Sequence, residues 1–282
     1  MPTPSRAALA LAERFELALS AAPPPGRSGE RLARTAGAGS EFHDSRAYRV
    51  GDDVRRIDWR AFARSDQLTV RVWREEALAR VEVLCDVSRS MGVEPRKAQL
   101  ALDLALLVAL AARADGCVAS ISAVAPRAEP LTPEELLARG LEFEARDDFA
   151  TALRECAARV RRGAIVVLIS DFLFEHDPRE LLAPLVARAG ALGCVQILSR
   201  AEREPRAGLA ERLIDCESGA ALDLVLDDAL VADYRRRLEA LVTALAEQCR
   251  RTRAVFASLD AQAPLEDLAR GPLTDAGLLA PR

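Results

Sequence analysis

Three oxygen-bearing side chains alternate along the motif D-V-S-R-S at residues 86–90, namely Asp86, Ser88 and Ser90. The apolar stretch 81–85 before the motif predicts a buried strand, and residues 97–113 after it predict a long helix. Carboxylate and hydroxyl oxygens suit a hard divalent cation such as Mg²⁺. Aspartate and serine also commonly cap helices, so the motif alone is consistent with a cation site or with simple capping.

A second acidic residue, Asp171, follows the apolar stretch 164–169, the clearest buried strand predicted in the chain. In an open parallel sheet, ligands bind in the crevice outside the carboxyl ends of the strands. Asp86 and Asp171 both follow predicted strands, so we expect them at the same edge of one sheet. Two acidic strand ends at one edge are what a cation site in such a fold requires.

The alternation of strands and helices predicts the fold class. Apolar runs predict strands at residues 81–85, 117–124, 164–169, 193–199 and 254–259. Helices are predicted at residues 97–113, 148–160, 177–189 and 228–252, and a hairpin is predicted at 213–226. This order indicates an α/β fold with a doubly wound, mainly parallel sheet that helices cover on both faces.

The chain divides by character into four segments. These are a helix with a Pro-rich spacer at 1–27, a polar extension at 28–80, the α/β domain at 81–260 and a tail at 261–282, which we expect to be loosely held. The extension holds both tryptophans, Trp59 and Trp73, although aromatic residues make up only 4% of the chain. A disordered segment is poor in such residues, so we expect an ordered extension in which both indoles are buried.

Composition argues against several classes of protein. A net charge of -4 gives no general attraction to nucleic acid. Two histidines and six cysteines without a C-x-x-C pair argue against a zinc site. The longest apolar segment, 98–112, contains Asp103 and is shorter than the roughly 20 residues that span a bilayer. Charged residues interrupt the apolar pattern at the start of the chain, so no signal peptide is expected and the predicted location is cytoplasmic.

The motif D-V-S-R-S, together with V-L-I-S-D at 167–171, resembles the metal-ion-dependent adhesion site of von Willebrand factor A domains. In that family, the D-x-S-x-S loop, a threonine on a second loop and an aspartate on a third gather Mg²⁺, and a partner's carboxylate commonly completes the coordination. The resemblance implies a Mg²⁺ site formed by Asp86, Ser88, Ser90 and Asp171.

The threonine loop departs from that pattern. Residues 145–151 read A-R-D-D-F-A-T, so Asp147 stands near the expected threonine and Thr151, the only nearby threonine, falls inside a predicted helix. Asp147 or Thr151 is therefore a candidate fifth ligand. A carboxylate at Asp147 either holds the cation with additional negative charge or marks an altered or empty site.

A longer motif upstream resembles the signature of one bacterial family. It is G-S-E-F-H-D-S-R-A-Y-R-V-G-D-D-V-R-R-I-D-W-R-A-F-A-R at residues 39–64, and L-I-D-C-E-S-G at 213–219 also fits. The family is domain-of-unknown-function family fifty-eight, whose von Willebrand factor A-like members are typically encoded beside MoxR-type AAA+ ATPases. The resemblance covers residues 39–259 and implies such an ATPase as the partner.

Acidic and basic residues interleave in the block G-D-D-V-R-R-I-D-W, which predicts internal ion pairs. Arginines at the rim of a fold also offer bidentate donors to the carboxylates of a partner. The candidate partner-binding residues of this block and its flank are Arg49, Asp52, Asp53, Arg55 and Asp58.

These observations favour a non-enzymatic, metal-dependent protein-binding module that works with a MoxR-type ATPase in protein remodelling or maturation. The alternative is a Mg²⁺-dependent hydrolase that uses Asp86 and Asp171, since such clusters also activate water or phosphate. The chain lacks a convincing general base, a G-x-S-x-G elbow and a phosphate-binding glycine loop, which argues against the hydrolase. A purely structural role, with the motif used for capping, is the third possibility.

Overall fold

The computed structural model describes residues 2–19, 42–48, 57–65, 67–73, 78–145, 148–208, 210–214 and 221–282. The chain divides into two compact units, one made of Met1–Gly29 with Ala79–Arg282 and the other of Glu30–Leu78.

Helices and strands alternate through most of the described part of the chain. The helices are α1 (Arg6–Ala12), α2 (Trp59–Ser65), α3 (Arg89–Gly92), α4 (Pro95–Ala114), α5 (Pro133–Arg139), α6 (Phe149–Arg159), α7 (Pro178–Val186), α8 (Arg200–Arg203), α9 (Asp228–Thr252), α10 (Leu265–Arg270) and α11 (Pro272–Asp275). The strands are β1 (Phe15–Leu17), β2 (Phe42–Ala47), β3 (Thr69–Trp73), β4 (Arg80–Asp86), β5 (Val118–Val124), β6 (Ile165–Ser170), β7 (Ala191–Leu198), β8 (Ala210–Ile214), β9 (Ala221–Val225), β10 (Val255–Asp260) and β11 (Leu279–Pro281).

Within the described residues, the central sheet has five strands in the order β10-β7-β6-β4-β5, and every neighbouring pair is parallel. The first strand, β4, pairs on one side with β5 and on the other with β6. The chain therefore changes its direction across the sheet between β4 and β6, and this switch point is where ligands bind in open α/β sheets. The strand order confirms the predicted α/β fold with a mainly parallel sheet.

Helices cover both faces of the sheet. Because successive strand residues point to opposite faces, Val83 of β4 belongs to the apolar layer that contains α1, α4 and α10, whereas Leu84 belongs to the layer of α6, α7 and α9. The helix α4 is apolar nearly all round and most of its residues are buried. Such a helix packs in the core of a domain. Among the described residues, none of the helices has both the length and the apolar character that crossing a bilayer requires.

The two ends of the chain pair with each other, which makes the expectation of a loose tail after residue 261 wrong. Strand β11 pairs antiparallel with β1, with Leu279 opposite Leu17. The last residue, Arg282, donates to the carbonyl of Phe15 at 3.1 Å and forms an ion pair with Asp115 at 2.9 Å. The tail is held because it completes a two-stranded sheet beside α4.

The predicted hairpin is confirmed, since β8 and β9 pair antiparallel. In the smaller unit, β2 and β3 also pair antiparallel and α2 lies between them in the chain. The expectation that Trp59 is buried is wrong, because 60% of its surface is exposed. Trp59 is the first residue of α2 and makes an edge contact with Phe62, while Ile57 takes the buried position. The side chain of Trp73 lies outside the described part of the structure.

Candidate functional site

The candidate site lies at the carboxyl ends of β4 and β6, on the two sides of the switch point. Cys85 of β4 is in register with Ile169 of β6, so the residues that follow each of them leave the sheet at the same edge. Ser170 donates a hydrogen bond of 2.6 Å from its hydroxyl to Oδ2 of Asp86. The structure therefore brings Asp86 and Asp171 to one edge, as the two motifs predict.

Asp86, Ser88 and Ser90 are joined by hydrogen bonds. Oδ1 of Asp86 accepts the backbone N–H of Ser88 at 2.8 Å, and the hydroxyls of Ser88 and Ser90 are 2.9 Å apart. Among the described residues, Ser88 is the N-cap residue of α3 but its side chain makes no capping bond there, and the N-cap of α4 is Glu94. These contacts therefore give no support to a capping role for the motif.

The environment of Asp86 disfavours its charged form. The side chain is buried, and this burial is the largest cause that raises the pKa of Asp86. The second cause is the negative charge of Asp171. Hydrogen bonds from Ser170 and Ser88 oppose this effect, but the pKa of Asp86 is still raised to about 7. Within the described part of the chain, Asp86 has no ion-pair partner. A cation beside it would stabilise the carboxylate.

Asp171 is fixed by a tight and strained turn. Its Oδ1 accepts the N–H of Leu173 at 2.9 Å, and its carbonyl accepts Nε2 of the buried Gln196 at 2.9 Å. The next residue, Phe172, is fully buried with a φ of 56°, a left-handed conformation that is rare for a bulky residue. Such strain costs about 1–3 kcal/mol and persists only where the surroundings hold it in place. Here the N–H of Phe172 donates to Ser170 Oγ at 3.0 Å.

Two charged residues of this edge were missed by the sequence analysis. The ammonium of Lys97 in α4 donates to Asp171 Oδ2 at 2.7 Å, to Glu202 Oε1 at 2.6 Å and to the carbonyl of Ser90 at 3.3 Å. Burial alone would lower the pKa of Lys97, but the charges of Asp171 and Glu202 outweigh it, so that pKa is raised above its ordinary value.

Both missed residues leave a signal in the sequence. Lys97 is the only lysine of the chain and stands in a helix that is apolar nearly all round, where a charge must be buried with a partner. Glu202 follows β7 and completes an S-x-x-E capping box with Ser199, whose N–H donates to Glu202 Oε2 at 2.7 Å. Neither signal identifies the partner, since Asp171 lies far from both in the sequence.

The two further candidate ligands have different outcomes. Ala145 donates from its N–H to the carbonyl of Val87 at 3.0 Å, so Ala145 lies beside the D-V-S-R-S motif. Asp147 itself lies outside the described residues. Thr151 is exposed in the first turn of α6, where its N–H donates to Asp148 at 2.9 Å. Hydrogen bonds with Thr151 lower the pKa of Asp148, which is the N-cap of this helix.

The candidate partner-binding residues of the extension fall mostly outside the described part. This applies to Arg49, Asp52, Asp53 and Arg55. Asp58 is described, and its Oδ1 accepts the N–H groups of Arg60 and Ala61, both at 3.1 Å. These two hydrogen bonds cap the start of α2.

The donor set fits a hard cation on one side of the edge. Asp86 with the hydroxyls of Ser88 and Ser90 offers one carboxylate and two neutral oxygens close together, which are suitable ligands for Mg²⁺. On the other side, Asp171 is already paired with the Lys97 ammonium. Within the described residues, no group of three or more His, Cys, Asp and Glu side chains is arranged to hold a metal. Among the described residues of this edge, the suitable ligands for Mg²⁺ are therefore Asp86, Ser88 and Ser90.

Comparison with known proteins identifies relatives without an assigned function. Residues 44–244 match the family described as "Protein of unknown function DUF58". Uncharacterized proteins of Mycobacterium bovis and of Mycobacterium tuberculosis are 28% identical to this chain over 224 residues, which is 74% of this chain and 70% of each of theirs.

Two solved structures align with this chain at low similarity. The conserved hypothetical protein BatB from Bacteroides thetaiotaomicron aligns over 70% of this chain and 98% of its own, with a TM-score of 0.39 and 12% identity. An aerotolerance-related membrane protein from Bacteroides fragilis aligns over 61% of this chain and 99% of its own, with a TM-score of 0.28 and 13% identity. Because both scores are low, the fold assignment rests on the strand order described above.

Proposed function

Because this chain belongs to the DUF58 family, whose function is unknown, we propose its function from the site: it is a non-enzymatic protein-binding module that docks a partner with the help of a bound cation. The observation that carries the proposal is the cluster of Asp86, Ser88 and Ser90 at the switch point of the sheet. Its similarity to the adhesion site of von Willebrand factor A domains supports the same function.

In this proposal, Asp86, Ser88 and Ser90 hold Mg²⁺, which supplies positive charge to a carboxylate of the partner. The protein orients the ligands in advance, because both oxygens of Asp86 accept hydrogen bonds, from the Ser88 N–H and from the Ser170 hydroxyl. Burial raises the local strength of every charge interaction at the edge. A partner's Asp or Glu is then bound through charge that water only partly screens.

The proposed partner is a MoxR-type AAA+ ATPase, and the proposed setting is protein remodelling or maturation. The support for this partner is the resemblance of the motif at residues 39–64 to members of the family encoded beside such ATPases.

One observation keeps the hydrolase as a second candidate. The buried carboxylate of Asp86 lies at the switch point of the sheet near two hydroxyl groups, and a cation held there could also activate water or phosphate. Turnover of phosphoester or peptide substrates that depends on Mg²⁺ and is lost in Asp86→Ala would favour the hydrolase over the binding module.

The proposal is tested by measuring the affinity of a purified MoxR-type ATPase for wild type and for Asp86→Ala, in Mg²⁺ and in EDTA. We expect strong binding only for wild type in Mg²⁺, with the Asp86→Ala protein binding weakly under both conditions. Glu155→Ala is the matched control, because it removes an exposed carboxylate midway along α6. Equal affinity for wild type and Asp86→Ala in Mg²⁺ would overturn the proposal.

A further inference from the structure

We propose that the ammonium of Lys97 is a built-in cation that holds the edge together and confines any divalent cation to the Asp86 side. Lys97 is thus a positioning residue whose charge sets the metal affinity of the site. The inference deepens the proposed function, and only its statement about the Asp86 side rests on that function.

The ammonium is coordinated as a bound ion would be. An ammonium has three N–H donors and no acceptor, and Lys97 directs them at the three oxygens of Asp171, Glu202 and Ser90. Its side chain is only 1% exposed. A buried ammonium without such partners would be strongly destabilising, so this geometry keeps the positive charge permanently inside the site.

The three oxygens come from three different strand ends. Asp171 follows β6, Ser90 lies in α3 after β4, and Glu202 lies in α8 after β7. Glu202 extends the connection further, because its carbonyl accepts the hydroxyl of Tyr234 in α9 at 2.7 Å. One positive charge therefore joins several elements of the carboxyl edge, which is the organising role that a metal ion has in other sites. The edge is assembled by a cation that belongs to the chain.

The same charge limits what a divalent cation can do. Asp171 and Glu202 are both paired with Lys97, which leaves the buried carboxylate of Asp86 for a metal. A divalent cation that approached Asp171 would also approach the ammonium, and like charges repel strongly in a site shielded from water. Lys97 therefore weakens divalent binding and directs it to Asp86, Ser88 and Ser90.

The test is the substitution Lys97→Met, which keeps an unbranched side chain of similar length but removes the charge. In EDTA, the buried Asp171 and the partly buried Glu202 are then left without a cation, so the melting temperature falls. Mg²⁺ or Mn²⁺ can now occupy the position of the ammonium. We expect divalent affinity, measured by calorimetry, to rise at least about tenfold over wild type, because affinity increases with the number of charged ligands. We also expect these metals to restore the melting temperature of Lys97→Met, while the melting temperature of wild type should change little on their addition.

A second variant separates charge from shape. Lys97→Met combined with Asp171→Asn and Glu202→Gln removes the carboxylates together with the ammonium. It is expected to melt at a higher temperature than Lys97→Met in EDTA and to gain no divalent affinity over wild type.

A Lys97→Met protein that stays unfolded in Mg²⁺, or that folds without any gain in divalent affinity, would overturn the inference. So would a triple variant as unstable as Lys97→Met, because the lysine would then be needed for its shape.

The inference and the proposed function fail in different experiments. If partner affinity is equal for wild type and Asp86→Ala, the proposed function is wrong. The change in divalent affinity on Lys97→Met still decides the role of the lysine in that case. If Lys97→Met does not increase divalent affinity, Lys97 is not a built-in cation, even where partner binding depends on Asp86.

Discussion

The hydroxyl of Ser170 donates a hydrogen bond of 2.6 Å to Asp86 Oδ2, so the ends of β4 and β6 are joined through a buried carboxylate. The hydroxyl oxygen of Ser170 also accepts the N–H of Phe172 at 3.0 Å. One hydroxyl therefore links Asp86 to the strained turn that carries Asp171. Because a hydroxyl both donates and accepts, no apolar residue of similar size can replace it at this position.

Ser170→Ala should destabilise the protein by about 1.5–3 kcal/mol, the range for hydrogen bonds to charged groups. It should also raise the pKa of Asp86 further, because the Ser170 hydrogen bond lowers it. Urea denaturation in EDTA measures the free energy of unfolding. Ser122→Ala, at a half-buried position of the edge strand β5, is the control and should have a much smaller effect. Equal effects of the two substitutions would show that the Ser170 bond contributes little.

Asp86 should make stability depend on pH in the absence of metal. Its folded-state pKa of about 7 lies above the ordinary value of 3.8, so the folded state binds more protons between these values. The favourable contribution is complete below about pH 4 and is lost as the pH rises through 7, with a slope of at most about 1.4 kcal/mol per pH unit.

This pH dependence is isolated by comparing the free energy of unfolding of wild type and Asp86→Asn across that range in EDTA. Asparagine cannot titrate, so the difference between the two proteins should change with pH while the contributions of other groups cancel. A constant difference from pH 4 to 7 would mean that Asp86 titrates at its ordinary pKa.

Phe172 should reverse the usual ranking of alanine and glycine. Both substitutions remove the buried ring, but only glycine accepts a φ of 56° without strain. We expect Phe172→Gly to be more stable than Phe172→Ala by about 1 kcal/mol in urea denaturation. The control is Leu153, buried within α6. At this position Leu153→Ala should be more stable than Leu153→Gly by about 1 kcal/mol. The same ranking at both positions would indicate that the turn at Phe172 relaxes easily.

The sheet and its acidic edge could be predicted because local patterns determine them. The run at residues 164–169 has no polar side chain, and such runs form strands buried on both faces, as β6 is. Parallel strands place their carboxyl ends at one edge, so Asp86 and Asp171 could be placed together before any contact was known.

The contacts that were missed depend on distant parts of the chain. The sequence shows that Lys97 is a charge in an apolar helix, but its partner Asp171 is 74 residues away. Likewise, β11 has only three residues and becomes a strand by pairing with β1 at the other end of the chain. Neither contact has a periodic pattern, since each depends on tertiary packing.

Partner binding should be weakened strongly by Asp86→Ala and less by Ser90→Ala. Asp86→Ala removes the carboxylate that, in the described part of the chain, lies with the two serine hydroxyls on the metal side of the edge. Ser90→Ala removes a neutral hydroxyl, while the backbone carbonyl of residue 90 can still accept from Lys97 and hold α3 in place. The measurement is the affinity of the purified MoxR-type ATPase over a titration of Mg²⁺, with thermal melts to confirm that each variant is folded. In EDTA, wild type and both variants should bind equally weakly. If Ser90→Ala weakened binding as much as Asp86→Ala at saturating Mg²⁺, the hydroxyls rather than the charge of Asp86 would control docking.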